Sequence, residues 1–119
     1  PRLNSSAASD VYKRQLLSEA LLEITNKGLG ITLVTNKSKV VGIFTDGDLR
    51  RCLNEKIDIN STKIKDVMTK KFKTIDSMTL AIDAAEVMET NKIFTLVVMS
   101  GAKNVGVLSM HDLIQARIL

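Results

Sequence analysis

Leu17, Ala20, Leu21 and Ile24 recur at the spacing of one helix face, while Glu19, Glu23 and Lys27 fall on the other side. The pattern predicts a helix from Leu16 that stops at Asn26-Lys-Gly28, with Gly30 permitting a sharp change of direction. The period then changes. Ile31-Thr-Leu-Val34 is rich in branched residues, a polar turn runs from Asn36 to Lys39, and Val40 to Phe44 is apolar again, which predicts a β-hairpin. Asp46 to Leu53 reads as a short helix with Leu49 and Leu53 four apart. Asn54 to Thr62 is polar connecting chain, after which Ile64 to Thr69 and a short strand, Lys73-Thr-Ile75, lead into a second set of elements. Thr79 is placed to cap a helix whose apolar face is Ile82, Ala85 and Met88, with Leu80, Ala81 and Ala84 adding small contacts and Asn91-Lys92 ending it. Hairpin strands follow at Phe94 to Met99 and Asn104 to Leu108, around Ser100-Gly-Ala-Lys103, and Met110 to Ala116 closes the chain as a helix.

The second set repeats the first residue by residue. Val40-Val-Gly-Ile-Phe-Thr-Asp-Gly-Asp-Leu49 returns as Asn104-Val-Gly-Val-Leu-Ser-Met-His-Asp-Leu113. Gly42, Thr45, Asp48 and Leu49 each stand 64 residues before Gly106, Ser109, Asp112 and Leu113, and the same interval aligns Leu16 to Leu49 with Leu80 to Leu113 without a gap. A fixed interval is the signature of an internal repeat. A unit of roughly 60 residues buries too little apolar surface to stand alone, so two such units are expected to pack on each other in an α/β arrangement.

The interval also sets Ile64 to Ile75 opposite positions 0 to 11, where the chain has a different character. Ser5-Ser-Ala-Ala-Ser is poor in apolar residues, and Asp10 to Gln15 continues no later pattern. Ser5 to Gln15 resembles the translation of a transposase-type sequencing adaptor. Residues 1–15 are therefore set aside as non-native and disordered, the first unit is expected to lack its leading strand, and native chain is expected to have preceded Leu16. The expected division is a truncated first unit over 16–55, a linker over 56–63 and a second unit over 64–119.

A hydrophobic content of 45% with 25% charged residues is that of an ordinary globular protein, and no apolar run has the length of a membrane-spanning helix. The net charge of +4 falls to +2 without Arg2, Lys13, Arg14 and Asp10, and there are only three Phe and one Tyr, so neither charge nor stacking surface points to nucleic acid. Lys63, Lys65, Lys70, Lys71 and Lys73 read as a solvated edge. Cys52, the one cysteine, sits on a helical stretch as a small packed side chain and fits a reducing cytoplasm. His111 is the single histidine and has no partners for a metal site or a triad. The five methionines are scattered over the elements as filling for core or interface.

Strand, helix, hairpin and helix, with Gly-x-x-(Thr/Ser)-x-x-Asp-Leu at the last strand-to-helix junction, is similar to the CBS domain, which occurs as tandem pairs known as Bateman modules. The resemblance covers Leu16 to about Leu119 and implies two β-α-β-β-α units related by a pseudo-two-fold, with sheets packed together and helices outside. Gly42-Ile-Phe-Thr-Asp-Gly-Asp-Leu-Arg-Arg51, Lys27-Gly-Leu-Gly30 and Met110-His-Asp-Leu113 resemble the C-terminal CBS pair of arabinose-5-phosphate isomerases, enzymes of the Kdo branch of lipopolysaccharide synthesis. Ser109 stands where that subfamily often has His, and Gln115 to Leu119 drifts from its usual pattern. Such isomerases carry a sugar-isomerase domain before the CBS pair, so this chain is expected to be non-catalytic, the regulatory part of a parent aldose-ketose isomerase.

By that resemblance Asp48 and Asp112 match the position that hydrogen-bonds ribose hydroxyls, and Thr45 and Ser109 the one that faces phosphate. A carboxylate can accept from both hydroxyls of a vicinal diol, and a hydroxyl beside free N–H groups at a helix start favours an anion. Gly42 and Gly106 would let backbone approach a ligand, with Met110, His111 and Arg50 as supporting groups. The resemblance implies no cofactor or metal, but a regulatory ligand that is either an adenine nucleotide or a cytidine-linked sugar, and a homodimer formed through CBS pairs. Thr45-x-x-Asp48 and Ser109-x-x-Asp112 are equally capping boxes, in which hydroxyl and acid close the first turn of a helix. Two roles therefore stand open, a nucleotide-sensing module and a purely structural dimerisation element without ligand. Since the first unit is expected to be truncated, the intact pocket is expected at the second motif.

Overall fold

The computed structural model describes residues 9–27, 31–115 and 117. They fall into two compact units that divide between Lys71 and Phe72. The first contains β1 (Ser9–Tyr12), α1 (Leu17–Lys27), β2 (Ile31–Asn36), β3 (Lys39–Thr45) and α2 (Asp46–Asn54), followed by a single 3₁₀ turn at Ile64–Asp66. The second repeats the order with β4 (Thr74–Asp76), α3 (Ala81–Asn91), β5 (Thr95–Ser100), β6 (Lys103–Ser109) and α4 (Met110–Gln115). Each unit has a three-stranded sheet, in the orders β1-β2-β3 and β4-β5-β6, with the first pair of strands parallel and the second antiparallel.

The expectation that the first unit lacks its leading strand is overturned. Ser9–Tyr12 runs parallel to β2, with Asp10 opposite Leu33, and β4 sets Thr74 opposite Val97 in the same register 64 residues later. Val11 is 2% exposed and joins the first core, so this part of residues 1–15 is ordered structure. Composition misjudged the segment because a short strand needs little from it. Backbone groups make the ladder, and one inward branched residue supplies the packing.

The apolar helix faces are only partly those that spacing predicts. Leu17 and Ala20 of α1 are buried with Leu21 and Ile24 packed against them, as expected. On α2, however, Cys52 is buried and Leu53 is exposed, so Leu49 and Cys52 serve the core. On α3 the buried stripe is Ala81, Ala84, Ala85 and Met88, whereas Ile82 and Leu80 are exposed. Small residues let this helix lie close to its sheet, and the turn they define carries Ile82 outward. Thr79 does not cap α3. Leu80 is its N-cap residue with no side-chain cap, and Thr79 N–H instead donates to Asp76 O at 3.0 Å.

β2 and β5 are buried on both faces, which explains why Leu96 to Val98 reads as a continuous apolar run and Ile31 to Val34 as one interrupted only by the buried Thr32. Lys37 and Ser38 make the first hairpin turn with φ of 52° and 67°, the left-handed region that a two-residue hairpin loop requires. The stop proposed at Gly28 and Gly30 lies outside the described residues, as does most of the tail after Gln115.

Ile64 to Thr69 leads into the second copy by sequence, yet it packs in the first unit. Ile64 and Val67 are buried in the first core, Ile64 N–H donates to Gln15 O, and Ile43 and Thr69 exchange backbone hydrogen bonds of 2.9 and 2.8 Å. The outer edge of β3 is thus paired at Ile43.

Candidate functional site

The repeated motif lies where the last strand of each unit turns into its last helix. In the first unit Thr45 is the N-cap residue of α2, and its extended φ and ψ of −115° and 170° turn its side chain back over the first turn. Asp48 N–H donates to Thr45 Oγ1 at 3.2 Å, and Thr45 N–H donates to Asp48 Oδ2 at 2.9 Å, a complete capping box. The Thr45 hydroxyl also donates to Asp48 Oδ2 at 3.1 Å.

Two further groups converge on the same carboxylate. Thr69 Oγ1 lies 2.9 Å from Asp48 Oδ1 and 3.1 Å from Oδ2, and Arg51 Nη1 is 3.0 Å from Oδ1. Arg51 Nη2 in turn donates to Val67 O at 2.8 Å. Asp48 thus faces four donors, about as many as an ionised carboxylate can accept, and it is only 3% exposed. A buried charge with this many partners is a strong internal tie.

The second motif keeps the box and loses the rest. Ser109 N–H donates to Asp112 Oδ2 at 2.8 Å and Asp112 N–H donates to Ser109 Oγ at 3.1 Å. Among the described residues no group donates to Asp112 Oδ1, and both side chains are half-buried. Ile114 and Gln115 stand where Arg50 and Arg51 follow the first motif. The two carboxylates therefore differ in chemistry although they coincide in sequence pattern. The first is filled from within, whereas at the second only Oδ2 has a donor among the described residues.

Of the supporting residues, Gly42 has a structural cause. A Cβ built there would stand 2.5 Å from Met68 Sδ and 3.0 Å from Thr69 O, so it is the Ile64–Thr69 segment that requires glycine. Gly106 lies buried on β6 opposite Val98. Met110 is half-buried beside the second core, while His111 and Arg50 are exposed. Sequence reasoning missed Thr69 and assigned no role to Arg51 beyond its place next to Arg50. Thr69 is 21 residues from Asp48, and no short motif joins them. The i,i+3 spacing of Asp48 and Arg51 on a helix was the available signal.

Among the described residues there is no group of three or more His, Cys, Asp or Glu side chains that could hold a metal ion, and no helix is long and apolar enough to cross a membrane. Cys52 is buried, and burial pushes its thiol above the ordinary value. It offers no nucleophile.

Two repeated α/β units, each ending in a strand-to-helix junction with a hydroxyl and a carboxylate three apart, define a tandem module. The chain belongs to the CBS domain family, whose profile matches residues 11–55 and 64–118. It is 48% identical over 105 residues to arabinose 5-phosphate isomerase KdsD of Pseudomonas aeruginosa, a match covering 87% of this chain and 32% of that protein. The chain thus spans about a third of the length of the curated relatives it matches. A CBS domain protein from Pyrobaculum aerophilum complexed with AMP has the same fold, with a TM-score of 0.80 at 20% identity over 92% of this chain and 86% of that one. So has a CBS domain pair in complex with 5′-methylthioadenosine and S-adenosyl-L-methionine, with a TM-score of 0.80 at 19% identity over 95% and 93% of the two chains.

Proposed function

We propose that this chain is the ligand-sensing part of an arabinose-5-phosphate isomerase of the Kdo pathway, with no catalysis of its own. The observation that carries this reading is the half-buried pair of Ser109 and Asp112 at the start of α4, whose carboxylate takes only the cap among the described residues, in a chain 48% identical to a KdsD isomerase. Asp112 accepts from the ribose hydroxyls of a nucleotide and Ser109 faces its phosphate, with Met110 and His111 alongside. The ligand is an adenine nucleotide, as in the fold neighbours bound to AMP and to adenosyl compounds, or a cytidine-linked sugar acting as feedback. The module works in the cytoplasm as a homodimer attached to a sugar-isomerase domain. Ligand binding shifts that enzyme between two states through its differential affinity for them.

Calorimetric titration tests the reading with AMP and a cytidine nucleotide-sugar. Saturable binding of one of them that disappears in Asp112→Ala supports it, and flat titrations with both count against it.

The capping boxes favour a second reading, in which both motifs are structural and the module only holds subunits together. Sedimentation with and without nucleotide separates the two. The structural reading requires a dimer indifferent to ligand.

A further inference from the structure

We infer that the first motif is closed from within: Thr69 and Arg51 occupy the Asp48 carboxylate as a latch, and any ligand with a vicinal diol must displace those two side chains to reach it. The ligand half of this inference rests on the nucleotide-sensing reading, whereas the latch itself rests on the contacts alone.

A vicinal diol donates two O–H groups to a carboxylate, and on Asp48 those acceptor positions are filled. Thr69 Oγ1 lies within 3.1 Å of both oxygens, Arg51 Nη1 is 3.0 Å from Oδ1, and Thr45 takes Oδ2 through both its N–H and its hydroxyl. The Thr45 contacts belong to the helix cap and are present in equivalent form, at least from the backbone, at Ser109 and Asp112. What distinguishes the first motif is Thr69 and Arg51. Both are tied to one stretch of chain, since Thr69 belongs to it and Arg51 also holds Val67 O at 2.8 Å.

That stretch runs on through Lys70 and Lys71 to the division between the units. It is fixed to the first unit by the Ile43–Thr69 backbone pair and by Met68 lying over Gly42. The Asp48 contacts add to these anchors, so opening the carboxylate removes one of the ties on the chain that leads into the second unit. The first copy of the motif has become a clamp on the connection, and the second remains an acceptor. A diol ligand and the clamp exclude each other at Asp48.

The test uses the whole chain with AMP as probe, together with amide hydrogen exchange at Ile43 and Thr69. Wild type is expected to bind one AMP, Asp112→Ala none, and Asp112→Ala combined with Thr69→Val and Arg51→Ala is expected to bind again through Asp48, with binding lost once more on adding Asp48→Ala. Asp48→Asn in the otherwise wild-type chain should speed exchange at the Thr69 and Ile43 amides by roughly tenfold or more, because a charged acceptor is lost. The inference is overturned if Asp112→Ala binds AMP as wild type does and Asp48→Ala abolishes it, or if the opened variant stays silent while wild type binds. Should even wild type fail to bind, the nucleotide reading falls and exchange alone decides the latch. Unchanged protection in Asp48→Asn then overturns it, and lost protection upholds it.

Discussion

Thr69 Oγ1 sits within 3.1 Å of both carboxylate oxygens of Asp48, although 21 residues separate the two in the chain. This contact makes the first motif more than a helix cap. Its removal should cost more than removal of the equivalent group in the second unit. Asp48→Ala breaks the capping box and leaves the half-buried Thr45 and Thr69 donors unpaired, and is expected to lower stability by about 2 to 3 kcal/mol. Asp112→Ala loses a half-buried cap, about 1 kcal/mol, and Arg51→Ala, whose side chain is 49% exposed, less than about 1 kcal/mol. Urea midpoints of the three variants check the order. Equal losses at Asp48 and Asp112 would mean that Thr69 and Arg51 add nothing.

Gly42 gives a second prediction. Its neighbour is Met68 Sδ, 2.5 Å from where a Cβ would stand, with Thr69 O at 3.0 Å. Gly42→Ala is expected to cost roughly 1 to 3 kcal/mol by overpacking. Most of this should return in the double variant with Met68→Ala if the side chain is the obstacle, as thermal unfolding can measure. A loss that Met68→Ala does not relieve would place the strain on the Thr69 backbone instead.

Much of this was legible from spacing. The interval between Gly42 and Gly106 gave the duplication, and the alternation of elements gave two α/β units. The apolar face of α1 was readable because its residues follow a clean helical period. That of α3 was not, because Ala81, Ala84 and Ala85 carry little hydrophobic signal while Ile82, which carries much, points outward. The motif pair Thr45 and Asp48 was visible, but the difference between the two copies was not. It depends on Thr69, brought to Asp48 by tertiary packing of a segment that the repeat assigns to the other unit.

Cys52 offers a chemical check on the core of the first unit. It is 1% exposed, and burial, the main cause, pushes its thiol above the ordinary value, with Asp48 and Glu55 adding to the rise and Arg51 opposing it. A raised thiol value means that the folded state disfavours thiolate. Below the ordinary thiol value the group is neutral in both states and has no effect on stability. As pH climbs through that value the unfolded chain ionises first and stability falls. The native protein should therefore react with a disulfide reagent much more slowly than the unfolded chain at pH 8, and Cys52→Ser should reduce the alkaline loss of stability. Rapid labelling of folded protein would contradict the burial.

Val11 tests the strand that composition failed to reveal. It is 2% exposed, stands opposite Val34 and belongs to the same cluster as Leu17 and Phe44. Val11→Ala removes two buried methyl groups and is expected to cost roughly 1 to 3 kcal/mol. Tyr12, the next residue, is 45% exposed, so Tyr12→Ala should have a much smaller effect. The contrast follows from the strand period, which sends neighbouring side chains to opposite faces. It is read by comparing urea midpoints of the two variants. A Val11→Ala midpoint equal to that of the unchanged chain would mean that Ser9–Tyr12 does not hold its place beside β2 in solution, and that the first sheet is two-stranded.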